Sequence, residues 1–187
     1  MSDILDLHGQ AMAEFDRRVR AVRLEQWALP TPCTDWDVHD LVNHLVSEQL
    51  WVPHLLSGGT IAEAGDRYDG DRLGEEPIAT WEIVAREART AWLAPDSVTR
   101  TVHLSYGDVL AEEYLWQMTF DLAVHAWDLA RAISADDELD PELSAALLHW
   151  AHEQDFLGPS PLFDPPRPVS ADTPAQTRLL ALTGRAG

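Results

Sequence analysis

Residues 111–134 read AEEYLWQMTFDLAVHAWDLARAIS, the most regular apolar repeat in the chain. Leu110, Tyr114, Leu115, Met118, Leu122, Leu129 and Ile133 recur at three- and four-residue steps, which gather side chains on one face of an α-helix. The pattern predicts a helix over 111–134. Working outward, three more segments share the period. Leu5, Met12, Phe15, Val19 and Val22 alternate with Asp16, Arg17, Arg18, Arg20 and Arg23, predicting an amphipathic helix over 2–23. Pro30 and Pro32 hold the next segment extended, so a second helix starts only after them. Thr34 is read as its N-cap, with Asp37 three residues on, and the helix spans 35–56 before Gly58-Gly59. Pro77 opens a third, with Ile78, Trp81, Val84, Ala88 and Trp92 on one face, ending before Pro95. Four long amphipathic helices predict an all-α four-helix bundle.

The connections are less regular. Residues 58–76 carry glycines and mixed charge without a helical period and read as a long surface loop. Thr101–Ser105 alternates β-branched residues before the turn signal Tyr106-Gly107, which predicts a short hairpin-like excursion at the edge of the fold. Pro141 opens a short fifth helix bearing Leu143, Leu147, Trp150 and Ala151. Residues 159–174 hold six prolines and are predicted non-helical, ahead of a last turn over 177–183. Residues 1–157 are accordingly read as the bundle, and 158–187 as a C-terminal extension packed on it.

Composition bounds the function. The chain has 187 residues, 45% hydrophobic and 24% charged, enough for a core without staples. Thirteen basic residues, all Arg, stand against 32 acidic ones, a net charge of −19 that repels phosphate backbones and anionic membranes. No nucleic-acid partner and no membrane partner are expected. The single cysteine, Cys33, cannot form an internal disulfide, and the N-terminal residues lack the basic head and apolar run of a secretory signal. A cytoplasmic location is expected.

The residues that could carry chemistry lie on two helices. Asp121 and His125 are four apart, hence on one face and one turn from each other. His125 also falls in the stripe Met118, Leu122, His125, Leu129, which points inward, and His44 lies on the inward side of the second helix. Two histidines and one carboxylate leave open coordination positions, a catalytic rather than structural pattern, suited to zinc and also to iron or nickel. The ordinary alternatives are a helical ion pair for Asp121 and His125 and a hydrogen-bonded core histidine for each imidazole. Cys33 could be a nucleophile at a helix N-terminus, but Asp35, Asp37 and Asp40 work against a thiolate there. There is no G-x-S-x-G, P-loop or dinucleotide glycine fingerprint.

Three blocks carry a resemblance. PTPCTDWDVHDLVNHL at 30–45, DLAVHAWDLARA at 121–132 and LLALTGR at 179–185 resemble the corresponding blocks of the mycothiol-dependent maleylpyruvate isomerase N-terminal domain group, actinobacterial relatives of the DinB-like bundles. The resemblance implies a DinB-like four-helix bundle, here with a short extra helix and a Pro-rich C-terminal tail, and a divalent metal held by His44, Asp121 and His125. In the isomerase the acid is a Glu, so Asp121 is one methylene shorter.

An open divalent metal can bind a small thiol, lower its pKa and hold the thiolate against an electrophile. The resemblance makes mycothiol the implied co-substrate. Glu48, four residues after His44, is a candidate base or a partner to a ligand, and Asp128, three after His125, a candidate for orienting the imidazole. Arg100 and Arg131 are the cations considered for a dianionic substrate. The expected function is thus a metal-dependent mycothiol S-transferase or isomerase. The competing expectation is a non-catalytic metal-binding or ligand-sensing bundle that forms a homodimer through exposed tryptophans.

Overall fold

The computed structural model describes residues 3–154 and 163–187, so the prolines at 159 and 161 lie outside the described residues. These residues cluster into two compact units, Met1–Ala135 and Asp136–Gly187. In the first, the helices are α1 (Ile4–Val19), α2 (Val38–Leu56), the single turn α3 (Ile61–Ala64), α4 (Pro77–Trp92) and α5 (Ala111–Ile133). A hairpin of β1 (Thr101–Leu104) and β2 (Gly107–Leu110) precedes α5. In the second unit, α6 (Pro141–Ala151) packs on α7 (Ala175–Leu182).

The strictly all-α expectation is therefore corrected. β1 and β2 pair antiparallel, with Val102 opposite Val109 and Leu104 opposite Gly107, in the segment where the alternation pointed to a hairpin. Gly107 sits at φ 137°, a conformation that favours glycine.

The four long helices of the first unit pack in a cycle: α1 on α5, α5 on α2, α2 on α4 and α4 on α1. α5 is its centre, because residues 122–130 are all buried rather than one stripe of them. At its C-terminal end the Gln26 side-chain amide donates to the Ile133 carbonyl, an orphan acceptor of the last turn (3.1 Å). α1 and α4 are joined by the edge-to-face contact of Phe15 with Trp81, whose indole N–H donates to Asp16 Oδ1 (3.1 Å).

The start of α2 differs from the expected cap at Thr34. Asp37 is the N-cap: its Oδ1 accepts from the Asp40 N–H (2.9 Å) and Asp40 Oδ2 accepts from the Asp37 N–H (3.2 Å). The preceding residues cannot be helical. Asp35 takes a left-handed φ of 68°, and Thr31 and Trp36 close a tight loop instead, the Thr31 N–H donating to the Trp36 carbonyl (3.1 Å). Within 58–76, the expected long loop, Thr60 and Glu63 form a capping box around α3.

His8, on α1, is fully buried and accepts at Nδ1 from the Arg89 guanidinium (3.1 Å). Burial first, and the Arg89 charge second, push its pKa from the ordinary 6.5 down to about 3. Between these values the unfolded chain binds a proton that the folded chain does not, so stability falls as pH drops through that window. The contribution reaches about 1.4 kcal/mol per pH unit. Urea unfolding from pH 7 to 4 is expected to show a shallower loss for His8→Gln than for the wild type; parallel curves would contradict the assignment.

Candidate metal centre

Three segments of the first unit meet at the site: α2, α5 and the loop from Trp27 to Asp37. The loop is tied down at both ends, since the Val38 N–H donates to the Leu29 carbonyl (3.0 Å) and the His39 N–H to the Trp27 carbonyl (2.9 Å). Inside it Thr31 Oγ1 accepts from the Cys33 N–H (3.1 Å), and the Trp36 N–H donates to the Cys33 carbonyl (3.1 Å). These bonds set the Trp36 ring 5.0 Å from that of His44 and 5.8 Å from that of His125.

Asp121 lies between the two imidazoles. Its Oδ2 is 3.1 Å from His44 Nε2, and its Oδ1 is 3.3 Å from His125 Nε2. On the opposite side of the His125 ring, Nδ1 is 2.9 Å from Asp128 Oδ2, and Asp128 is fully buried. His44 and Asp121 keep 26% and 23% of their side-chain surface exposed against 8% for His125, so the cluster can be reached from one side. Burial opposes ionisation of Asp121, but the charges of His44 and His125 outweigh it and hold its carboxyl far below the usual range. Burial likewise opposes charge on His125, and the carboxylate of Asp121 outweighs it, raising that imidazole well above 6.5.

Glu48 is half-buried one turn beyond His44. Its pKa is raised by burial, partly offset by His44, with Asp121 pushing it further up and His125 drawing it down. Tyr114 on α5 is buried with its hydroxyl unpartnered, and its pKa is raised by burial, then by Glu48 and Asp121.

His44, Asp121 and His125 each offer one ligand atom within 4.8 Å of the others, so they could hold a metal ion. The donor set suits one: two imidazole nitrogens and a carboxylate, with the far nitrogen of one ring held by a second carboxylate. Cys33, His125 and Asp128 form a second such group, and Asp37, His39 and Asp40 a third, although Asp37 and Asp40 already serve the α2 cap. The structure thus brings together His44, Glu48, Asp121, His125 and Asp128, all singled out in the sequence.

Other expectations fare differently. Arg100 donates to the Leu56 carbonyl (3.0 Å) and the Pro95 carbonyl (3.2 Å), and Arg131 lies over the Trp127 ring at 5.5 Å. Of the eight tryptophans, Trp81, Trp92, Trp127 and Trp150 are buried and Trp27, Trp36, Trp51 and Trp116 half-buried. Trp36 was not a candidate from the sequence, and Cys33 was considered only as a nucleophile; the signal available for both was their place in the first block.

The comparisons with known proteins agree with this architecture. Residues 8–130 match the model of the mycothiol maleylpyruvate isomerase N-terminal domain family. The chain belongs to that family. An uncharacterized protein of Mycobacterium tuberculosis, found in two strains, is 31% identical over 186 residues, which is 98% of each chain. Among solved structures, the mycothiol-dependent maleylpyruvate isomerase superposes with a TM-score of 0.63 at 17% identity, over 82% of this chain and 70% of that one. A histidine-to-alanine mutant of that isomerase gives 0.61 at 18% identity, with the same coverage. At these identities the two structures attest the fold.

The burial pattern separates site residues by their structural cost. Asp128→Ala leaves the His125 Nδ1–H and the Cys33 thiol facing a buried gap, at a cost of about 3 kcal/mol. His44→Ala, at a quarter-exposed position, is expected to cost less than about 1 kcal/mol. Urea unfolding of the metal-free proteins tests this; equal losses would show that the Asp128 pair is not structural.

Proposed function

We propose that this protein is a divalent-metal-dependent thiol S-transferase or isomerase, acting on a small electrophile with mycothiol or a related low-molecular-weight thiol. The DinB-like four-helix bundle and the cytoplasmic location expected from the sequence belong to this reading. The observation that carries it is the convergence of His44 Nε2, His125 Nε2 and the Asp121 carboxylate, with Asp128 behind His125. Family membership and the kinship in fold with a mycothiol-dependent isomerase supply the thiol.

His44, Asp121 and His125 would hold the ion, with zinc the first choice for two imidazoles and a carboxylate, and nickel or iron next. A divalent ion there lowers the pKa of a thiol and presents it as a nucleophile at neutral pH. The residues around it have defined tasks. Asp128 accepts from His125 Nδ1–H and so keeps Nε2 turned to the ligand side. Glu48, half-buried and with a raised pKa, is suited to take the thiol proton and return it to the product. Trp36 lies against both imidazoles and would shield that side of each ring.

The test is elemental mass spectrometry on untagged protein purified without added metal, followed by turnover of a thiol with an electrophile panel, metal by metal. About one ion per chain is expected, lost in His44→Ala together with thiol consumption; His44→Ala is chosen because its fold should persist. An ion retained in that variant would overturn the ligand set. Metal-loaded protein inert across the panel would overturn the catalytic reading in favour of a metal-binding bundle.

A further inference from the structure

Cys33 lies on the far side of His125 from the cluster. Its Sγ is 3.2 Å from Asp128 Oδ2 and 3.7 Å from His125 Nδ1, while His125 Nδ1 is 2.9 Å from that same Oδ2. One carboxylate oxygen therefore receives two donors, the thiol of the half-buried Cys33 and the imidazole of α5, on an Asp128 that is itself fully buried. The thiol itself is held from both sides of its backbone: its N–H is bound by Thr31 Oγ1 and its carbonyl by the Trp36 N–H. This is a built arrangement, in which a residue 92 positions away in sequence supports a ring of α5.

We propose that Cys33 is a positioning residue, whose S–H fixes the Asp128 carboxylate in the rotamer that holds His125 Nδ1–H and aims His125 Nε2 at the ligand cluster. It acts through Asp128 and requires the proton on sulfur, which distinguishes this role from that of a nucleophile or a metal ligand. The inference rests on the metal reading above. Its chemistry is that of the outer partners of metal-bound histidines, whose loss commonly weakens metal affinity about 10–100-fold. A serine hydroxyl can make the same donation; an alanine cannot.

The experiment uses cobalt(II) as the probe on the full chain, comparing wild type, Cys33→Ser, Cys33→Ala and His44→Ala. Affinity is read by competition with a chromophoric chelator, and geometry by the visible ligand-field spectrum. Cys33→Ala is expected to bind at least about tenfold more weakly with an altered ligand-field spectrum, while Cys33→Ser restores affinity to near that of wild type. A purely space-filling role would lower both variants together, and that result overturns the proposal. So does a Cys33→Ala variant indistinguishable from wild type. An intense sulfur-to-cobalt charge-transfer band in the wild type, lost in both Cys33 variants, would make Cys33 a ligand and overturn it as well. Failure of the underlying reading looks different: cobalt bound no better by wild type than by His44→Ala rejects the cluster itself, and the role of Cys33 falls with it.

Discussion

The site depends on one carboxylate. Asp121 touches His44 of α2 through one oxygen and His125 of α5 through the other, and so joins two helices at the point where the proposed chemistry would occur. About three quarters of the Asp121 side chain is covered, and that burial would be costly for a lone acid. Two imidazoles facing it, with a second carboxylate behind one of them, turn a desolvation penalty into a compensated network. In the proposed reading a divalent ion bound there would replace the protons that the imidazoles otherwise share with Asp121.

Much of this was legible in the sequence because it lies within single helices. The apolar period of α5 gave its extent to within one residue, and the four-residue step from Asp121 to His125 gave their shared face. Pro77 and Pro141 marked helix starts correctly, since a residue without an N–H is tolerated in the first turn. The pairing of His44 with that face required only that both helices turn their apolar sides inward.

What was not legible depends on tertiary contact or on competition between local options. Thr34 and Asp37 are both competent caps. The structure chooses Asp37 because the residues before it close a loop with a left-handed Asp35, leaving no helical path from Thr34. Cys33 and Trp36 reach His125 across 92 and 89 positions respectively, separations on which no spacing rule operates. Trp81, Trp92, Trp127 and Trp150 are buried and the other four tryptophans half-buried, a division that depends on which side chains pack over each ring and not on local spacing. Arg100, one of two candidates for a dianionic substrate, binds main-chain carbonyls at Leu56 and Pro95, a use of guanidinium that composition does not reveal.

The measurement that bears most directly on this account is anomalous X-ray diffraction from a crystal of the zinc-loaded protein, collected on both sides of the zinc absorption edge. The account predicts one strong peak at roughly 2.0–2.2 Å from Nε2 of His44, Nε2 of His125 and an oxygen of Asp121, with Cys33 and Asp128 on the far side of the His125 ring. A peak bonded to Cys33 sulfur and Asp128, or no peak at the Asp121 cluster, would contradict it.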